Sequence, residues 1–448
     1  MTATQLTGSP SYDPRVDVSP RPRPSDGPAW SNARRVGFRF AFCYFVLYGF
    51  ESLFSTIPFI AIVTRWYDAL IRSTAIWFGT VVLHLTPAQL PVIPTGSGDG
   101  MVAWMENLVY IVAALVACVV WSVADRRRTE YRKLNEWLNI YVRFTLAFVL
   151  FSYGFAKIIP NQFPYPTLEK LSEPLGEFSP MGLLWTFMGY SPAYNFFTGM
   201  GEALGGLLVC FRRTTTAGAL LAIAVLSNVV FLNFTYDVPV KLYSANLLLM
   251  ALFLTIPDMR RLLDVLVLNR PTQARNLHPL YRTRAMEGVS LTLRTLLVVY
   301  AVGMQLFANM SRYHGSTNAP VPALYGIYDM QSLTRDGHDV PLVVTDASLW
   351  RRVIFSRFDR LSIRTMADSM TRYTVRIDTT ARSLVATPRL NGTMILAFTY
   401  VKPAAGELVL SGRVGGDTIV ARLKRVDESK FLLNARGFNW VQELPFNR

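Results

Sequence analysis

The stretch YVRFTLAFVLFSYGFAKIIP, Tyr141 to Pro160, is apolar almost throughout, yet it carries Arg143 near one end and Lys157 near the other. In helical form a run of about 20 residues covers about 30 Å, the thickness of a bilayer's hydrocarbon core. An ionisable group inside such a run is costly, so it turns toward protein or trapped water and finds a partner. How often the pattern recurs sets the fold class. Hydrophobic residues make up 51% of the 448 and charged residues 17%, a balance that points to a polytopic membrane protein. The apolar residues cluster in long runs instead of alternating, which argues against barrel strands in the membrane.

Seven spans are expected: Phe38 to Val63, Met101 to Val123, Trp137 to Ile159, Tyr194 to Phe211, Ala217 to Phe234, Val238 to Ile256 and Leu291 to Asn309. Arg65 to Leu85, with its charges at the start and Trp, Tyr and His beyond, reads as an interfacial or re-entrant helix. The net charge of +15 gathers beside the runs: in DRRRTEYRK (Asp125 to Lys133), in RRTTT after the fourth span, and at Arg270, Arg275, Arg282 and Arg284 after the sixth. The loop Pro160 to Ser191 instead carries Glu169, Glu173 and Glu177 against one Lys. That asymmetry predicts a cytoplasmic N-terminus and basic loops, with everything after Asn309 outside. It also accounts for the basic balance without nucleic acid, through orientation and contact with membrane lipid.

The organisation that follows is a disordered proline-rich tail over 1–33 and N-terminal spans over 34–134. A helical membrane core occupies 135–270, a cytoplasmic connector and last span 271–310, and an extracytoplasmic antiparallel β domain 311–448. From about Val340 short alternating segments replace the helical runs. ELVLSGRVGGDTIVARLKRV, Glu407 to Val426, predicts a hairpin turning at Gly415 and Gly416, and a second strand pair is expected around Asn391 and Gly392.

Glu202, in FTGMGEALGG, falls at mid-span, where neither a cap nor an interface explains a carboxylate, and its expected partner is Lys241, Lys157 or Arg143. Gly201 and Gly205 beside it suit close helix packing. In NFTYDVPVKLYSANLL, Asn233 to Leu248, Pro239 suits a first helical turn and Asp237 reads either as that helix's cap or as part of a pocket with Lys241. Glu202 and Lys241 are therefore the candidate reactive pair. Arg143, Lys157, Asn228, Asn233, Tyr236 and Asp237 are candidate ligand-binding groups around one outer-leaflet pocket. Cys43, Cys118 and Cys210 form no C-x-x-C, and His84, His278, His314 and His338 have no ligand spacing, so no dithiol or metal site is expected.

From YVRFTLAFVLFSYGFAKIIP through YSPAYNFFTGMGEALGGLLVCFRRTTTAGALL to NVVFLNFTYDVPVKLYSANLLLMALFLTIPD, about residues 137 to 270, the chain resembles the DoxX/DoxD-like membrane family. The likeness lies in an Arg and a GFAK in the first core helix, a long outer loop, a GxxE helix with an Arg-rich turn, and a third helix ending in Asn and aromatics. It implies a four-helix bundle in the bacterial cytoplasmic membrane, with Arg143, Lys157 and Glu202 at its polar positions. It also implies a quinone-linked redox role, since the DoxD branch is a subunit of a thiosulfate to quinone oxidoreductase. The two earlier spans, the last span and the β domain depart from a minimal member.

Two functional expectations follow. In one, the pocket binds a quinone or similar amphipathic molecule, with Glu202 relaying protons, Lys157 or Lys241 holding its charge, and Asn228, Asn233 and Tyr236 bonding polar oxygens. In the other, the bundle is a membrane assembly or scaffold subunit whose buried charges fix packing and whose outer β domain meets a redox or envelope protein partner.

Overall fold

The structure is a computed structural model and describes residues 29–54, 60–91, 96–273, 283–389 and 394–447. The proline-rich tail before residue 29, His278, Arg275, Arg282 and the expected turn at Asn391 and Gly392 lie outside the described residues.

Helices occupy the first two thirds of the chain. They are α1 (Asn32–Phe54), α2 (Ala61–Trp77, continued by a π turn over Phe78–Val82), α3 (Met101–Ala124), α4 (Arg132–Ile158), α5 (Leu168–Ser172), α6 (Pro180–Tyr190), α7 (Pro192–Cys210), α8 (Thr215–Thr235), α9 (Lys241–Thr255), α10 (Met259–Leu266) and α11 (Arg284–Gly315). Among the described residues six helical stretches are long and apolar enough to cross a membrane: α1, α3, α4, α8, α9 with α10, and α11. The fourth of the seven expected spans, Tyr194 to Phe211, forms the 19-residue helix α7 but is not among these six. The reason lies in its composition, because Asn195, Glu202 and its glycines dilute the apolar side chains.

Four of the helices form a ring: α4 packs on α7, α7 on α8, α8 on α9, and α9 returns to α4. Phe151, Leu150, Leu146, Met250 and Leu254 fill its core, with α1 against the outside of α4. Helix α2, the expected interfacial segment, touches one end of its neighbours: the Tyr67 hydroxyl donates to the Leu47 carbonyl at 2.6 Å, and Arg72 reaches Glu106 at 3.4 Å near the start of α3.

The chain's basic segments meet at one end of the bundle. The Trp30 amide donates to the Thr129 carbonyl at 3.1 Å, Arg35 donates to the Arg128 carbonyl at 2.7 Å, and buried Arg39 donates to Ser122, to the Asp125 carbonyl and to the Tyr131 hydroxyl.

The C-terminal part is a closed antiparallel barrel. Strands β1 (Gly326–Arg335), β2 (His338–Val340), β3 (Trp350–Ser356), β4 (Arg360–Thr365), β5 (Met370–Asp378), β6 (Ser383–Pro388), β7 (Leu396–Val401), β8 (Glu407–Val414) and β9 (Asp417–Arg425) follow one another, and β1 pairs with β9 to close the ring. Strand β2 only extends β1 outside the ring, leaving eight strands around an interior filled by side chains such as Tyr328, Phe355, Phe398 and Tyr400. The expected hairpin over Glu407 to Val426 is β8–β9, turning where Gly415 and Gly416 adopt φ of 62° and 106°. Strands begin at Gly326, earlier than the expected Val340. The opening residues of β1 are buried on both faces, so they show no alternation. Their outward face is covered by α5, which joins Leu168 to Ile327 and Ile354. A 3₁₀ turn and the short helix α12 (Leu432–Ala435) follow the barrel.

Helix α5 belongs to the acidic loop, and it carries the barrel. Glu169 accepts from the Ser356 and Ser362 hydroxyls, Arg364 donates to the Ser172 carbonyl, and the Tyr165 hydroxyl donates to Asn434 at 2.5 Å. The loop and the barrel thus share the end of the bundle opposite the basic segments.

Candidate functional site

Helices α4 and α7 run antiparallel at unusually close range. A β-carbon at Gly154 would stand 2.8 Å from the Ala203 amide nitrogen and 2.8 Å from the Gly199 carbonyl, so only glycine permits the contact. Lys157 is one turn beyond Gly154 and Glu202 one turn beyond Gly199. Their side chains therefore meet across the seam. The Lys157 Nζ lies 2.9 Å from Oε1 and 2.7 Å from Oε2 of Glu202, with the two side chains 7% and 3% exposed. The Tyr153 and Phe163 rings stand 5.4 and 5.9 Å from the same ammonium and add a cation–π contribution.

This pair forms part of the wall of a cavity of about 800 Å³ framed by α4, α6, α7, α8 and α9. Most of the lining is apolar, supplied by residues such as Trp185, Phe197, Leu204 and Leu247. The polar remainder includes Asn228, Asn233, Tyr243 and Ser244. Asn233 is held in place by donating to the Ser244 hydroxyl at 3.0 Å. Gln162 also lines the cavity, and its buried Oε1 has no hydrogen-bond partner among the described residues. A buried acceptor left open is costly, and here a ligand's hydroxyl can reach it. A second cavity, of about 1080 Å³ between α1, α4 and α11, shares Tyr153 and Tyr243 with the first as a common wall.

Of the residues expected from sequence, Glu202, Lys157, Asn228 and Asn233 come together here. The others do not. Lys241 is not the partner of Glu202: its Nζ lies 3.0 Å from Asp237 and 3.8 Å from Asp99, at the N-terminus of α9. Arg143 serves the other end of the seam, donating from Nε to the Val209 carbonyl and from Nη2 to the Cys210 carbonyl, each at 2.6 Å. It thereby satisfies the carbonyls that the end of α7 leaves open. Tyr236 packs beside Phe163, Leu184 and Val238 in a neighbouring apolar cluster. Asp237 sits in a turn at φ 50° with its side chain 84% exposed, so it does not cap α9.

The cap comes from Asp99, whose carboxylate accepts from the Lys241 amide at 2.7 Å and the Leu242 amide at 3.0 Å. Pro239 lies two residues before the first helical residue of α9, and its carbonyl accepts from the Gly98 amide at 2.8 Å. Sequence reasoning also missed Tyr153, Tyr243 and Gln162. Tyr153 had a legible signal, because it precedes Lys157 by four residues and so shares its helix face. Gln162 had none, since its position follows from how the chain leaves α4.

No family model matches the chain, and no solved structure does. Over 123 residues it is 35% identical to the uncharacterised protein YwoB of Bacillus subtilis (strain 168), a stretch that covers 28% of this chain and 78% of YwoB.

Proposed function

The chain belongs to the family of YwoB, and from the site itself we propose a polytopic membrane protein that binds a small amphipathic molecule of the quinone class beside the Lys157–Glu202 pair. The six apolar helices and the composition support the membrane setting. The resemblance of the core to DoxX/DoxD-like proteins agrees with it and with a cytoplasmic membrane. In this reading the basic end of the bundle faces the cytoplasm and the acidic loop and barrel the outside, an orientation that the charge asymmetry supports.

The observation that carries the ligand reading is an ion pair, almost wholly buried, in the wall of a mainly apolar cavity. Such a pair stabilises less than a well-packed apolar pair of the same volume, so its presence calls for a role beyond packing. The residues present fit a quinone head group. Gln162 Oε1 accepts from a hydroxyl, the Asn228 amide donates to a carbonyl, and the apolar walls hold the ring and tail. A quinone, when bound, carries two electrons and two protons. What the chain contributes is orientation, exclusion of water, and a carboxylate at Glu202 able to give or take a proton under the control of Lys157.

Mass spectrometry of small molecules that copurify with the protein in mild detergent tests the reading. Wild type is expected to retain a quinone or another amphipathic molecule, and a Glu202→Gln variant that accumulates normally is expected to lose it. Retention of nothing by the wild type, or failure of Glu202→Gln and Lys157→Met to accumulate at all, favours the assembly-subunit reading, in which the charges serve folding.

A further inference from the structure

After α12 the chain forms a small closed loop most of whose apolar side chains are exposed among the described residues. The Arg436 guanidinium stands over the Phe446 ring at 4.3 Å and closes the loop, and Phe438 meets Trp440 edge-on at 5.0 Å within it. Outside that contact, Trp440 is 91% exposed, Phe438 79%, Val441 75% and Leu444 79%. Glu443 is the one charged residue between Arg436 and Phe446. Exposed apolar residues scattered singly need no explanation, whereas four in one short closed loop mark a contact surface.

The position of the loop identifies what it contacts. Its base is pinned by the hydrogen bond from the Tyr165 hydroxyl to Asn434. The Tyr165 ring lies 6.4 Å from that of Tyr190, the last residue before Ser191 caps α7. The base therefore stands at the level where the bundle's helices end. Phe438 and Trp440 follow Asn434 by four and six residues, a reach of at most about 13 to 22 Å. Aromatic side chains that combine an apolar body with a polar edge concentrate at that depth of a bilayer.

We infer that Phe438, Trp440, Val441 and Leu444 form a finger that inserts into the outer lipid interface and moors the barrel to the membrane surface. The inference rests on the membrane reading above. Sequence gave no warning of it, because GFNWVQELPFN has neither the length of a span nor a helical stripe.

The test uses the full chain reconstituted in nanodiscs of phosphatidylcholine and phosphatidylglycerol, with the photoreactive residue benzoylphenylalanine placed singly at 440 or at 307. Phe307, 72% exposed on α11, is the control for the membrane reading. Lipid adducts at both positions are the expected result. Adducts at 307 alone, or protein adducts in place of lipid at 440, overturn the finger and leave the membrane reading standing. Absence of lipid adducts at 307 overturns both.

Discussion

A β-carbon added at Gly199 would stand 2.6 Å from the Gly154 carbonyl oxygen and 2.9 Å from the Lys157 β-carbon. The close approach of α4 and α7 and the placement of the ion pair are thus one structural fact. Gly199→Ala is expected to force the helices apart and cost about 1–3 kcal/mol, the usual penalty for overpacking a tight contact. Its thermal unfolding midpoint in detergent should fall, and any bound ligand should be lost with it. Gly201→Ala meets only a Val225 methyl at 3.3 Å and should be far milder.

The ion pair itself is separable from the seam by a double substitution. Lys157→Met leaves the Glu202 carboxylate buried without its cation, at a cost of about 3–5 kcal/mol. Adding Glu202→Leu removes the stranded charge, so the double variant should recover most of the lost stability while remaining unable to hold a ligand through that pair. Unfolding of the two singles and the double, compared as a thermodynamic cycle, checks the first point. The copurified small molecules check the second. If the double variant keeps the ligand, the pair is not its binding site.

These two cases show what was legible in the chain. The runs of apolar residues reveal helices because hydrophobicity is read locally, and the glycine-rich stretch around Glu202 announces tight packing for the same reason, although Gly199 and Gly206 make the close contacts and Gly201 and Gly205 do not. The choice of Lys157 over Lys241 or Arg143 depends on the antiparallel register of α4 against α7. No local pattern encodes that register. The barrel was legible as alternating strands except at β1, β3 and β4, where burial of both faces beside α5 erased the alternation.

The same limit concealed the cap of α9. Asp237 is close in sequence and chemically suited to the task, but Asp99, 142 residues before Lys241, performs it. Asp99→Ala is expected to cost about 1 kcal/mol through the lost cap and to raise amide exchange at Lys241 and Leu242. Asp237→Ala, exposed at an ion pair of little worth, should change stability by under about 0.5 kcal/mol. Equal effects of the two substitutions would contradict this assignment.

Beneath the apolar finger, Asp427 accepts from the Ser429 amide at 3.1 Å and hydroxyl at 2.6 Å. These bonds hold its carboxyl below the usual aspartate range. A depressed folded-state pKa contributes stability that is complete above the unfolded value, about 3.9, and fades as pH falls through the folded one. The protection factor of the Ser429 amide, its exchange rate taken relative to an unstructured peptide at the same pH, should therefore hold at neutral pH and fall as pH drops below the unfolded value. In Asp427→Asn this acid-dependent step should disappear.

Glu169 is one of the polar contacts through which the acidic loop reaches β3 and β4, beside the Arg364 bond to the Ser172 carbonyl, and it accepts from the Ser356 and Ser362 hydroxyls while Leu168 packs on Ile327 and Ile354. The barrel's own core contains no loop residue, so undocking need not unfold it. Glu169→Ala should leave two buried serine hydroxyls without their acceptor, each at a cost of about 1–3 kcal/mol, and thereby weaken docking without melting the strands. Hydrogen exchange would then rise across residues 165–172 and along the outward face of β3 and β4, while amides of β5 to β8 keep their protection. Loss of protection throughout the barrel would instead mean that the loop is part of what folds it.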